Sequence, residues 1–171
     1  MPEPFVDPAL LIGSTIVSSY AYPGTTCSET AYVRDEEGML IGMWLDPTNN
    51  NGTGVEVLTP NAPTTDWVGS YSIHGLYPSG IPYHGTVDIQ LNADGSYALS
   101  YNYPAEGANP ALVTTGVALA SENMLGVAIN LDPAAEPGSC SLYISDFQAD
   151  GSYNSVWYEG GRFGTETGTR R

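Results

Sequence analysis

Basic residues are scarce in this chain of 171 amino acids, and long apolar runs are absent. It has 4 basic side chains against 19 acidic ones, which gives a formal net charge of −15. Nucleic-acid phosphates and anionic membrane surfaces bind through clustered Lys and Arg, so the sequence argues against both kinds of partner. No apolar stretch reaches the roughly 18 residues that a membrane-spanning helix needs, so no membrane span is predicted.

Cysteine is equally scarce, and the N-terminus lacks the pattern of a leader. Cys27 and Cys140 are too few for a disulfide scaffold or a cysteine-type zinc site. The two form either one bridge or two small buried thiols, and the sequence favours the thiols. Residues 1–8 have no positive segment followed by an apolar one, so no signal peptide is predicted in this chain. Among compartments we expect a secreted or periplasmic location.

Glycine, proline and tyrosine are abundant, whereas helical periodicity is almost absent. Short runs rich in Val, Ile, Thr and Tyr are interrupted by turn residues about every 8 to 12 positions, which is typical of all-β proteins. Asp94-Gly95 and Asp150-Gly151 predict two tight hairpins. Twelve short strands are predicted, near residues 11–20, 27–34, 38–45, 53–58, 67–75, 83–91, 96–103, 111–119, 123–131, 140–147, 152–158 and 163–168.

Apolar and polar side chains alternate along these strands. Tyr71 and Ile73 point to one face, for example, and Ser72 and His74 to the other. A single sheet cannot bury such a face alone, so it must close on itself or pack on a second sheet. The sequence therefore predicts an all-β fold, an antiparallel up-and-down β-barrel or a closely related sandwich.

An internal repeat relates the two ends of the chain. Residues 11–44 align with 124–157 at a constant offset of 113. The aligned pairs include Cys27 with Cys140, Trp44 with Trp157 and, after a three-residue shortening, Glu56 with Glu166. We predict a half-repeat of four strands over residues 1–62 and a complete eight-strand repeat over 66–171, together in one compact unit.

The segment from Tyr71 to Val87, the Trp157 strand and the run Gly164-Thr165-Glu166 carry a family resemblance. They resemble a family of small bacterial β-domains that are often repeated within a chain and whose function is poorly defined. Some members are described as fibronectin-binding. The strand plan is also similar to the calycin superfamily of lipocalin-like and avidin-like barrels. The resemblance covers about residues 66–171, and it implies a barrel fold rather than a particular chemistry.

Tyrosine is the residue type that says most about function. Tyr71, Tyr83, Tyr97 and Tyr101 fall on the apolar face of three consecutive strands. An aromatic barrel interior with a few hydroxyl groups suits a small hydrophobic or aromatic ligand; alternatively, the rings simply fill the barrel. We predict a ligand site that contains these four tyrosines and Trp157, with no cofactor.

The two histidines are the candidate metal ligands. A turn at Pro78-Ser79-Gly80 would place His74 opposite His84, with Asp88 on the same face. A solvent-facing polar pair is the alternative, and it is the one we expect. Ser79 with a histidine and Asp88 is a poor candidate for a catalytic triad, because no nucleophile elbow is present.

Acidic residues offer two further candidate sites. Glu56 and Glu166, at matching repeat positions, are candidates for paired acid–base carboxylates. The preferred interpretation is structural: each lies near a strand end, where an acidic residue can cap a turn or pair with an arginine. Asp146, Asp150 and Glu159 are close in sequence but lack the spacing of a calcium loop. A solvated acidic surface is expected instead.

The sequence thus predicts a non-enzymatic binding protein that holds a small hydrophobic molecule. The first alternative is a structural or interaction module, adhesin-like or an accessory subunit, with a protein partner or a second copy. The second is a small barrel enzyme that acts on an apolar substrate through Tyr and a carboxylate.

Overall fold

The protein is built from antiparallel β-strands, as the computed structural model shows for residues 9–21, 25–47, 52–106, 110–121, 124–132 and 139–169. The described residues contain no α-helix. Their thirteen strands are β1 Ala9–Ile12, β2 Thr15–Ala21, β3 Cys27–Arg34, β4 Leu40–Asp46, β5 Gly52–Pro60, β6 Gly69–Leu76, β7 Pro82–Leu91, β8 Tyr97–Tyr103, β9 Leu112–Ser121, β10 Met124–Asn130, β11 Cys140–Phe147, β12 Ser152–Glu159 and β13 Arg162–Thr169.

Eight consecutive strands, β3 to β10, form a closed barrel. Each pairs antiparallel with the next, and β10 returns to pair with β3, where Asn130 lies opposite Cys27. The prediction of an antiparallel barrel is confirmed. Closure satisfies the backbone hydrogen bonds of both outer strands and leaves the barrel without a free edge.

The five remaining strands form a second sheet in the order β1-β2-β11-β12-β13. The expectation of twelve strands is wrong, because the predicted strand 11–20 is two strands that turn at Gly13, whose φ is +62°. The predicted joint between residues 62 and 66 lies between β5 and β6, which are neighbours in the barrel. Barrel and second sheet therefore both draw strands from each side of that joint.

The second sheet covers the outside of the barrel at β3, β9 and β10. Strand β10 is buried on both faces as a result: Leu125 and Val127 point into the barrel, whereas Met124 and Ala128 pack against the second sheet. The apolar layer between the sheets comprises Leu10, Val17, Cys27, Ala31, Leu119, Met124, Ala128, Cys140, Leu142 and Ile144. This layer holds the two sheets together.

Cys27 and Cys140 form a disulfide between the first residue of β3 and the first residue of β11. The expectation of two separate thiols is wrong. The sequence placed the cysteines at equivalent repeat positions but did not show that the two copies lie side by side. The bridge ties the barrel to the second sheet, across 113 residues of sequence.

Two three-stranded units of the chain share their registers. Glu29 pairs with Leu45 between β3 and β4, and Leu142 pairs with Tyr158 at the positions 113 residues later. Gly54 lies opposite Trp44 in the barrel, as Gly164 lies opposite Trp157 in the second sheet. The preceding strands are exchanged, however: β10 pairs with β3, and β2 pairs with β11. Each three-stranded unit is extended by a strand from the other end of the chain.

One end of the barrel is closed by the connection between β5 and β6. Trp67 from this connection belongs to the interior cluster, and its carbonyl accepts a hydrogen bond from the Tyr71 hydroxyl at 3.0 Å. The Arg34 guanidinium donates to the carbonyl of Thr64 on the same connection. We call the opposite end of the barrel the mouth. Within the described ranges, no helix is long and apolar enough to cross a membrane.

Candidate functional site at the barrel mouth

The mouth contains a cavity of about 380 Å³ that reaches into the barrel. This volume is within the range of small-molecule sites. Its walls are mainly aromatic and aliphatic, with a few polar groups at the inner end. The principal lining residues are Thr30, Trp44, Glu56, Tyr77, Tyr83, Tyr103, Leu112, Ile129 and Leu131.

Glu56 is the buried carboxyl group of this cavity, with 3 % of its surface exposed. Its two oxygens each accept a hydrogen bond from a tyrosine: Tyr32 O–H donates to Oε1, and Tyr83 O–H donates to Oε2 at 2.7 Å. The hydroxyl of Tyr101 lies 3.4 Å from that of Tyr32 and extends the network. A carboxylate can accept further hydrogen bonds, because two acceptors do not exhaust its lone pairs.

Burial controls the ionisation of this network. It raises the pKa of Glu56 above its ordinary value, although the hydrogen bonds from Tyr32 and Tyr83 act in the opposite direction. Burial also raises the pKa of Tyr83, and the neighbouring Glu56 carboxylate raises it further. The tyrosine hydroxyls therefore keep their protons at neutral pH and serve as donors.

Glycines on adjacent strands make room for the aromatic rings. A Cβ on Gly54 would lie 2.2 Å from the Trp44 ring, and a Cβ on Gly75 would lie 2.2 Å from the Tyr83 ring. Gly54 is the cross-strand partner of Trp44, and Gly75 is that of Tyr83. The rings therefore lie across neighbouring strands, where any larger residue would displace them.

Four aromatic rings meet at steep angles around the cavity. Trp44 contacts Tyr77 at a centroid distance of 6.1 Å and an interplanar angle of 89°. Tyr83 contacts Trp44 at 71° and Tyr103 at 65°. Tyr77 and Tyr83 lie closer, at 4.6 Å, with their planes tilted by 44°. Together these rings form the aromatic wall of the mouth.

Two buried polar atoms of cavity-lining residues have no hydrogen-bond partner: Thr30 Oγ1 and Trp44 Nε1. The Trp44 N–H is near enough to the Tyr83 hydroxyl to lower its pKa slightly, but the geometry does not make a full hydrogen bond. Buried polar atoms without partners cost free energy.

The predicted ligand residues lie in three different places. Tyr83 lines the mouth, and Tyr101 is buried beside the Glu56 network. Tyr71 is buried near the closed end, and Tyr97 packs against the same interior cluster. Trp157 lies on β12 in the second sheet, so its placement in the barrel site was wrong.

The histidines face each other as predicted, but they do not form a metal cluster. His74 lies opposite His84 on the outer face of β6 and β7, and both are exposed. His84 is paired with Glu106 at 3.6 Å, and Asp88 accepts a hydrogen bond from Ser70. Across the part of the chain that the structure describes, no three potential metal ligands come together.

The repeat-related carboxyl groups have opposite environments. Glu166 is exposed on β13, whereas Glu56 is buried in the cavity and bonded to two tyrosines. The interpretation of Glu56 as a turn cap or arginine partner is wrong. Alternation in Gly54-Val55-Glu56-Val57-Leu58 places Glu56 on the inward face with Leu58, and this signal would have identified it as an interior residue.

The proposed calcium residues serve local structure. Asp146 accepts hydrogen bonds from Thr15 and Ser121 and links β11 to β2 and β9. Asp150 holds the β11–β12 turn through the N–H and hydroxyl of Ser152, and these bonds lower the pKa of Asp150. Glu159 accepts a hydrogen bond from the Tyr143 hydroxyl.

No family model, curated protein or solved structure matches this chain. The resemblance to repeated bacterial β-domains and to calycin barrels therefore stays a prediction from the sequence. The function must be argued from the site.

Burial of Glu56 predicts a pH-dependent stability. Because its folded-state pKa is raised from 4.5, the folded protein retains a proton that the unfolded chain has already released. This contribution favours folding at low pH and is lost as the pH rises through the folded-state pKa. We expect Glu56→Gln to gain stability relative to the wild type as the pH rises from about 4.5 to about 8. Urea unfolding at each pH measures this difference, and Glu166→Gln is the matched control. Parallel stability curves for all three proteins would contradict the assignment.

Proposed function

We propose that the protein is a non-enzymatic binding protein that holds a small hydrophobic or aromatic ligand in the mouth of its barrel. The observation that carries the proposal is the cavity of about 380 Å³, with aromatic walls and a few convergent polar groups. Small-molecule sites commonly combine an apolar lining with a few polar groups that fix orientation.

The distribution of packing within the barrel supports this choice. Toward the closed end the interior is filled by side chains that are fully buried, among them Leu40, Leu58, Ile73 and Leu99. At the mouth, beyond Glu56 and Tyr83, the cavity opens. A barrel that only needed to fill itself would not require this cavity.

The enzyme alternative rests on the raised pKa of Glu56. A carboxyl group of raised pKa can act as a general acid, but the surrounding tyrosines also have raised pKa values and are unsuited to act as bases. No nucleophile with an adjacent base lies among the described cavity residues. The site therefore favours binding over catalysis.

An exposed apolar patch on the outer faces of β3 to β6 favours the alternative of an interaction module. Val33, Ile41, Met43, Val55 and Leu76 are each more than a third exposed and line an open groove of about 720 Å³. Contiguous exposed apolar surface of this kind commonly marks a protein contact. The groove has few polar groups to orient a small molecule, so it suits a protein partner or a second copy. Native mass spectrometry separates the two functions, because only a carrier retains a small molecule.

The binding function is tested with 4-fluorobenzyl alcohol, a small neutral aromatic probe followed by ¹⁹F NMR. We expect saturable binding that Tyr103→Ala weakens by about tenfold, because the change removes one aromatic wall of the cavity. Tyr153→Ala is the matched control, since Tyr153 lies on β12 in the second sheet. Equal losses in the two variants, or no saturable binding by the wild type, would contradict the proposal.

A further inference from the structure

We propose that the mouth selects organic cations, small ammonium compounds with apolar substituents, with Glu56 as the counter-charge and the aromatic wall as the surrounding cage. The inference rests on the proposed function and names the ligand class for the same cavity.

The aromatic wall supplies the first part of such a site. Trp44, Tyr77, Tyr83 and Tyr103 line one cavity, and three of their mutual contacts have interplanar angles of 65° or more. Rings at steep angles present several faces to one volume. The face of an aromatic ring is negative, so a positively charged group among several faces is attracted by each of them.

Glu56 supplies the second part. Its carboxyl group lies among the same rings, because Tyr83, which contacts Trp44, Tyr77 and Tyr103, donates directly to Oε2. A charge in a buried site is costly without a partner, and neutral hydroxyl groups offset only part of that cost. The described residues that line the cavity include no Lys or Arg to neutralise Glu56. A bound cation would provide the missing opposite charge, and it would favour release of the proton that burial holds on the Glu56 carboxyl group.

The charge of the whole molecule acts in the same direction. Arg34 donates to the connection at the closed end and Arg162 begins β13 in the second sheet, so neither of these described arginines lines the cavity. Among the described lining residues, the one group that can become cationic is His84, which is exposed and faces Glu106. A net charge of −15 concentrates cations near the surface and repels anions.

The test compares choline with 3,3-dimethylbutan-1-ol, which has the same shape with a carbon in place of the charged nitrogen. Isothermal titration calorimetry and tryptophan fluorescence follow binding of each to the whole chain. We expect the wild type to bind choline at least about tenfold more tightly than the neutral alcohol. Only choline carries a positive charge that Glu56 and the ring faces can attract. Equal affinities for the two probes would overturn the inference.

Variants assign the preference to Glu56. We expect Glu56→Gln to lose about tenfold in choline affinity and to leave the neutral alcohol within about twofold. Glu166→Gln, at the repeat-equivalent exposed position, is expected to retain the wild-type preference. A choline preference that survives in Glu56→Gln would overturn the role of this residue. The wild-type comparison of the two probes decides the ligand class even if that variant does not fold.

The outcomes also separate this inference from the proposed function. Binding of 4-fluorobenzyl alcohol without a preference for choline would refute the cation site and leave a neutral-ligand carrier. Failure of all three probes to bind would refute both.

Discussion

Replacing Cys27 and Cys140 together by alanine is expected to lower the free energy of unfolding by about 4 kcal/mol, within the usual range for a native disulfide. The bridge joins residues 113 positions apart, so it restricts the unfolded chain strongly. Loop-entropy estimates rise slowly with length and reach about 4.7 kcal/mol for a loop of about 100 residues. Few single substitutions in this protein should lower the free energy of unfolding by more than the loss of this bridge.

The architecture explains why this loss matters. Among the described strands, none of the second sheet pairs with a strand of the barrel. The two are held together by the apolar layer, by the bridge and by side-chain hydrogen bonds such as that from Ser121 to Asp146. Without the bridge, only the apolar layer and these side-chain hydrogen bonds oppose separation of the described strands of the two sheets.

Urea unfolding measures the effect, with the wild type compared in the presence and absence of dithiothreitol. The reduced wild type should approach the double alanine variant, and the variant itself should not respond to reductant. A variant within about 1 kcal/mol of the oxidised protein would contradict the expectation. Disulfides persist in oxidising compartments, and the secreted or periplasmic location stays a prediction.

Gly54→Val is expected to destabilise the protein by about 3 kcal/mol, because overpacking of a closed interior forces side chains and backbone apart. A Cβ at this position would lie 2.2 Å from the Trp44 ring, which is 9 % exposed. The ring is confined among Tyr77 and Tyr83 on the cavity side. Because Trp44 belongs to the aromatic wall, the same variant should also lose affinity for 4-fluorobenzyl alcohol.

Gly164→Val is the matched control for this substitution. A Cβ on Gly164 would also lie 2.2 Å from a tryptophan ring, that of Trp157. Trp157 is only half-buried, on a sheet that does not close, and can move toward solvent. Both substitutions replace glycine by valine in a strand, so they gain the same β-propensity. The difference between their losses of stability therefore measures how tightly each tryptophan ring is confined. The midpoint of thermal unfolding should be clearly lower for Gly54→Val than for Gly164→Val. Equal midpoints would show that the barrel accommodates the added side chain as easily as the open sheet does.

Local patterns determined much of the barrel from the sequence. Alternation of period two assigned Tyr71, Ile73 and Tyr101 to the inside, and all three are fully buried. The Asp-Gly pairs predicted two of the turns, in which Gly95 and Gly151 have φ values of +91° and +83°. The assumed turn at Pro78-Ser79-Gly80 also gave the pairing of His74 with His84. Each of these features depends on residues near one another in the chain.

The candidate site was predicted only in part. Tyr83 and Tyr101 were identified from their strand faces, but Trp44, Tyr103 and Thr30 were not. Trp44 was recognised only as a repeat position, because a ring in a strand does not reveal whether that strand belongs to a closed barrel. Trp157 has the same local pattern and lies outside the barrel.

The all-β class, the inward and outward faces of many strands and the position of several turns follow from local sequence patterns. The choice of neighbouring strands does not, and it emerges from the fold as a whole. The tertiary structure exchanged β2 and β10 between the two three-stranded units, brought Cys27 to Cys140 and closed one unit into a barrel while leaving the other open. Glu56 and Glu166 show the consequence, since one is enclosed by tyrosines and the other faces solvent. The physical reason is that alternation is a local property of the backbone, whereas burial depends on contacts between residues far apart in the chain.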